Sequence, residues 1–172
     1  MVHVLGTHSW RKIPQVPSYP ITSEGVFANG CLHWLANCKH DKFPIIRFDM
    51  KIEKFRLIKS PRKRTAGLIR VHLVDLHGQV GFVYMVVDCI VEVWVLKERQ
   101  WVMHCKFEPK PPLPKGFLKV LGFWNENGDI LMRDTWVRRR LYVYKLKSDG
   151  LYEVVVVGLE AGLEAGVKDM RV

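Results

Sequence analysis

No apolar run in this sequence is long enough to cross a bilayer. The longest, Val80 to Val87, stops after eight residues at Asp88, whereas a spanning helix needs about 20. Met1 to Gly6 is neither basic nor apolar enough for a secretory signal. Cysteine is sparse: Cys31, Cys38, Cys89 and Cys105 show no framework spacing, which excludes a disulfide scaffold and implies a reducing compartment, cytoplasm or nucleus. Gly-x-Ser-x-Gly, a phosphate-cradling Gly-rich loop with Gly-Lys-Ser/Thr, and His-Glu-x-x-His are all missing, so neither an enzyme nor a cofactor is expected. Helical periodicity is lacking before Gly158.

The 172 residues that remain to be explained suffice for one domain around one core. With 48% hydrophobic and 26% charged residues the chain does not have the composition of disorder. Acids are in short supply, 17 against 27 Lys and Arg, for a net charge of +10. Residues 39 to 70 hold eleven Lys or Arg against Asp41, Asp49 and Glu53, so most of the excess sits in one segment and favours an anionic partner.

The chain repeats itself. Trp10, Phe55, Trp101 and Tyr152 each stand early in a short apolar stretch, 45, 46 and 51 residues apart. Leu5, Met50, Leu96 and Leu146 end apolar runs at spacings of 45, 46 and 50. Asn29-Gly30, His77-Gly78 and Asn127-Gly128 mark tight turns, their glycines 48 and 50 apart. Each period reads as four strands: Gly25 to Ala28, Leu32 to Ala36, Ile45 to Met50 and Lys54 to Ile58; then Ile69 to Leu76, Val80 to Val86, Ile90 to Lys97 and Gln100 to Cys105; then Lys119 to Trp124, Asp129 to Arg133, Arg140 to Lys147 and Leu151 to Val157.

VGFVYMVV, VEVWVL and EVVVV are apolar on both sides instead of alternating. A sheet sandwiched between neighbouring sheets has that pattern. Four-stranded units of about 50 residues packed face to face describe the blades of a kelch-like β-propeller; a β-sandwich is the rival. The expected fold is all-β, an incomplete kelch-like propeller of about three and a half four-stranded antiparallel blades. Val2 to Leu5 and Ser9 to Ile13 match only the second half of a blade. The domain, residues 1–157, is thus expected to begin in mid-blade, as a fragment, a truncated product or a chain whose open edges are covered by something else. Residues 158–172, opening with the tandem GLEAGLEAG, are expected to form a flexible tail.

LGTHSWRKIP, GVFANGCLHWLA, IIRFDMKIEKFRLI, IVEVWVLKERQWV, NGDILM and LYVYKLK together resemble the F-box associated domain of plant F-box proteins, over about Val2 to Val157. The resemblance implies a propeller-like part that recruits the protein to be ubiquitinated, while a helical F-box docks on the adaptor of a cullin-type ligase. No F-box precedes Val2, so adaptor binding is expected only if a longer chain supplies one. Lys145 stands where the family usually has Asp, Cys31 where Ala is common, and Ser60 to Gly67 is an unusually basic loop.

Cys31-x-His33 and Cys38-x-His40 have zinc-binding residue types, but the two pairs are not forced to converge, and the resemblance gives His33 a structural place in the hairpin; no metal is expected. Asp75 and His77 read as hairpin residues, not half a triad. The four blade-period aromatics read as core, each worth about 1.5 to 3 kcal/mol. Trp124 and Trp136 fall outside that ruler. The partner-binding candidates are Arg62, Lys63 and Arg64 between blades, and Trp136, Arg138, Arg139 and Arg140 within one, where an aromatic beside arginines resembles an interface hot spot. Loops 37–43, 60–67, 110–115 and 135–139 are the expected recognition segments. The primary reading is a non-catalytic protein-interaction module whose partner is a substrate protein with an acidic surface. The alternative is a basic nucleic-acid-binding β-domain without a ubiquitin role.

Overall fold

The computed structural model describes residues 2–3, 8, 10–13, 15–17, 19–37, 43–65, 68–86, 90–109, 118–135, 140–159 and 162–168, with side chains up to residue 154. All regular elements among them are strands. β1 (Val2–His3) and β2 (Trp10–Arg11) pair as the expected half-blade. The first full sheet contains β3 (Val26–Ala28), β4 (Cys31–Leu35), β5 (Ile45–Asp49) and β6 (Lys54–Ile58). The second contains β7 (Ile69–Leu76), β8 (Gln79–Val86), β9 (Ile90–Lys97) and β10 (Gln100–Phe107). The third contains β11 (Leu118–Phe123), β12 (Ile130–Asp134), β13 (Leu141–Lys145), β14 (Gly150–Leu159) and β15 (Gly162–Lys168). Each is an antiparallel meander in chain order.

The third sheet departs from the expected four strands. The β-branched run Val154–Val157 extends β14 to Leu159, and β15 pairs back on it from Glu153↔Lys168 to Leu159↔Gly162. Strand preference in that run and the pairing it offers outweigh the glycines of GLEAGLEAG that suggested a tail.

The two-sided strands have the predicted cause. On β8, Val80, Phe82 and Tyr84 pack with Ala28, Leu35, Phe43 and Ile45 of the first sheet and the loop beside it. Val83 and Met85, on the opposite face, join Val91, Val93 and Val95 against Val120, Ile130, Met132, Tyr142 and Tyr144 of the third. The second sheet therefore has no solvated face at its centre. Two β-bulges keep its neighbours in step. In β10 the register shifts between Met103 and Cys105, so Trp101 faces the first sheet while Cys105 and Phe107 face the third. In β11 the shift lies between Val120 and Gly122.

The aromatic ruler needs correction. Trp10 is 66% exposed, and Phe55, Trp101 and Tyr152 are only partly buried. Phe55 lies on Phe48 at 4.6 Å, on the face of the first sheet turned away from the second. Trp101 lies 5.8 Å from Phe82 on the corresponding face of the second. Tyr152 pairs with Val143 and points away from Tyr142 and Tyr144; Leu151 takes the equivalent inward place. A one-residue slip, visible in the spacing of 51 where the other rulers give 50, reverses the face because side chains alternate.

β7 lies between β3 and β11. His72 Nε2 meets the Val120 carbonyl at 3.1 Å, and Lys119 pairs with Glu24 at 3.2 Å. Burial lowers the His72 pKa from 6.5 to about 4, with the Val120 bond opposing the shift. Below pH 6.5 the unfolded chain binds a proton that the native chain refuses until about pH 4. Stability present above pH 6.5 should therefore be lost as pH falls towards 4, on the order of 3 kcal/mol from this residue. In chemical denaturation His72→Gln should flatten that dependence.

A second expectation concerns Gly81. A Cβ there would lie 2.5 Å from Leu76 Cδ1 and 2.7 Å from Val74 Cγ1, both in the core. Gly81→Ala should lower the urea midpoint by about 1 to 3 kcal/mol of stability with the m-value unchanged.

Candidate interaction surface

In a four-stranded meander the first and third turns fall at one end, and the middle connection and the crossing to the next sheet fall at the other. The six hairpin turns here, at 29–30, 50–53, 77–78, 98–99, 124–129 and 146–149, thus share one end. They are rigidly specified. Asn29, Glu53, His77, Glu98, Arg99 and Asp149 are the non-glycine residues with positive φ among those described. Asp75 Oδ1 accepts the Gly78 N–H at 2.7 Å, the hairpin role expected of it. Asn125 Oδ1 accepts from Asn127 and Asp129, while the half-buried Trp124 donates its backbone N–H to the Asp129 carbonyl at 2.7 Å. The longer connections, including all four expected recognition loops, leave from the opposite end.

The connection from β6 to β7 is the best defined of these. It crosses the face of the second sheet from β10 towards β7, strapped down at each step. Trp101 Nε1 donates to the Lys59 carbonyl at 2.7 Å. Ser60 Oγ accepts from the Phe43 N–H at 3.3 Å and donates to the Arg62 carbonyl at 2.8 Å. Arg62 Nε lies 3.0 Å from Glu92 Oε2, an ion pair without hydrogen-bond alignment. The same guanidinium sits 5.1 Å above the Tyr84 ring, and Thr65 shares a 2.8 Å hydrogen bond with the Tyr84 hydroxyl. Arg64 lies 5.2 Å over Phe43.

Arg62 is therefore occupied inward, while Lys63 and Arg64 are exposed. Glu92 is what sequence reasoning missed. Its side chain is only 3% exposed, on a strand otherwise built from valines, where it also accepts from Trp94 Nε1 at 3.1 Å. A lone acid in such a run demands a buried cation, and that demand was the available signal.

The other candidates do not gather at this strap. Arg140 is exposed and pairs with Glu153 at 3.6 Å, with Tyr142 its principal hydrogen-bond partner. Trp136, Arg138 and Arg139 lie outside the described residues, as do Cys38 and His40. Cys31 and His33 share the face of β4 turned to the second sheet, both buried. Cys31 Sγ accepts from Arg47 Nε at 3.1 Å. Burial lowers the His33 pKa, backbone hydrogen bonds opposing and the Arg47 charge reinforcing the shift. Burial raises the Cys105 thiol to about 12, which leaves it unreactive. Among the described residues no three His, Cys, Asp or Glu side chains converge as a metal site. Lys145 sits 4.6 Å over the Tyr152 ring.

The sequence model of the F-box associated beta propeller domain matches residues 1–168, and the chain belongs to that family. A putative F-box protein of Arabidopsis thaliana is 27% identical over 165 residues, covering 92% of this chain and 40% of its own length. An F-box/kelch-repeat protein of the same plant is 29% identical over 93 residues, 52% of this chain and 26% of its own length. Another of its F-box proteins is 23% identical over 171 residues, 88% and 42% respectively. The chain thus spans less than half the length of each of these relatives.

Arg62→Ala would strand the Glu92 carboxylate. Because the arginine side chain is 41% exposed, the expected loss is about 1 to 3 kcal/mol, below the range for a fully buried pair. The double variant Arg62→Met/Glu92→Gln should recover most of it in a urea double-mutant cycle, since the amide still accepts from Trp94 and no charge is left buried.

Proposed function

We propose that this chain is a non-catalytic protein-interaction module, the part of an F-box subunit of a cullin-type ubiquitin ligase that selects the protein to be modified. The observation that carries this reading is the match of residues 1–168 to the F-box associated domain. Relatives named as F-box proteins support it. The architecture suits the task. Interlocked sheets form a stiff base, and loops on a rigid base are where recognition is usually placed. Selection needs no bond-making by the module, only a surface held in one geometry while a ligase acts on the bound protein. Attachment to the ligase adaptor is assigned to an F-box in a longer chain, and the working compartment to cytoplasm or nucleus. Among the described residues no helix is long and apolar enough to cross a membrane.

The test is capture from plant extract with the tagged chain as bait, with and without nuclease, in about 0.15 and about 0.5 M salt. Nuclease-resistant protein partners retained at the lower salt are expected. Material that vanishes with nuclease and falls by about 0.9 decades per phosphate contact for each decade of salt would overturn the reading in favour of a nucleic-acid binder.

A further inference from the structure

We infer that the end of the sheets carrying the long connections docks an acidic stretch of the partner protein, with Lys63 and Arg64 of the β6–β7 strap as contacts to its carboxylates. This rests on the module reading above and narrows it to one end and one partner chemistry.

The topology separates charge along the strands. The connections at 36–44, 59–68, 87–89, 108–117 and 135–140 hold eleven Lys or Arg against three Asp or Glu, whereas the six hairpin turns hold three against five. The chain's positive excess is thus concentrated at one end, the geometry that gives electrostatic steering a direction.

The strap converts that field into a site. Its backbone is held at the Lys59 carbonyl by Trp101, at the Arg62 carbonyl by Ser60 and at Thr65 by Tyr84. Arg62 is spent on Glu92 and Tyr84, which fixes the residues on either side of it. Lys63 and Arg64 are therefore presented on a segment already ordered, and a partner need not order it on binding. The Arg64 guanidinium lies over Phe43, which restricts its orientation while its N–H edges remain suited to a carboxylate. Scattered carboxylates fit this arrangement better than a continuous track of phosphates, because Arg62 and Arg140 already hold Glu92 and Glu153.

The probe is a fluorescein-labelled twelve-residue peptide of alternating Asp/Glu and Gly, titrated by anisotropy in about 0.05 and about 0.15 M salt. Lys63→Glu/Arg64→Glu should weaken binding about tenfold at the lower salt, and Lys51→Glu/Arg99→Glu, an equal charge change at the hairpin end, less than about twofold. Urea midpoints of both variants should match the parent, since none of the four side chains lies in the core. Equal weakening by both pairs, no weakening by either, or tighter binding of a 20-base-pair duplex DNA than of the peptide would overturn the inference. Capture of nuclease-resistant proteins equally by the parent and by Lys63→Glu/Arg64→Glu would also overturn it, while leaving the module reading standing. Failure to capture such proteins with the parent chain would instead remove the reading on which it rests.

Discussion

The structure depends on a central sheet that must be apolar on both of its faces. Side chains alternate along a strand, so Phe82 and Tyr84 belong to one interface while Val83 and Met85 belong to the other. Neither interface can be shifted by a single residue without exchanging both sets at once. This locks the registers of three sheets together through one strand. It also explains why a residue lacking a side chain, Gly81, lies in the middle of the most buried strand: Val74 and Leu76 already fill the space above it.

Much of this arrangement was legible in the sequence because it follows from short-range rules. Asn29-Gly30 and His77-Gly78 adopt positive φ at both positions, the backbone that such hairpins require. The unbroken apolar runs pointed to sheets covered on both sides, and the 45 to 50 residue spacing to repeated units. What was not legible depended on parity and on pairing at a distance. The bulge near His104 reverses the inward face partway along β10, and no local signal in QWVMHCKF announces it. The slip at Tyr152 placed an aromatic on the wrong face although its spacing differed from the ruler by one. β15 was obscured because its strand character depends on the exposed edge of β14 more than on its own composition.

The basic loop teaches a related lesson about charge. SPRKRTAG reads as a solvated, partner-seeking run, yet its first arginine is absorbed by the fold. The reason lies thirty residues downstream, in a glutamate surrounded by valines. A buried carboxylate must be neutralised wherever the chain can supply a cation, and the crossing from one sheet to the next passes over it. Of three consecutive basic residues, one is structural and two face outward, a division that composition cannot reveal.

The segregation of turns also bears on how such a fold can diversify. Hairpins with positive φ tolerate few residues, so one pole of the molecule is constrained by backbone geometry alone. At the opposite pole, loop closure grows costlier only slowly with length. New specificities can therefore arise there by lengthening or rewriting segments, while the stacked sheets that support them go on folding as before.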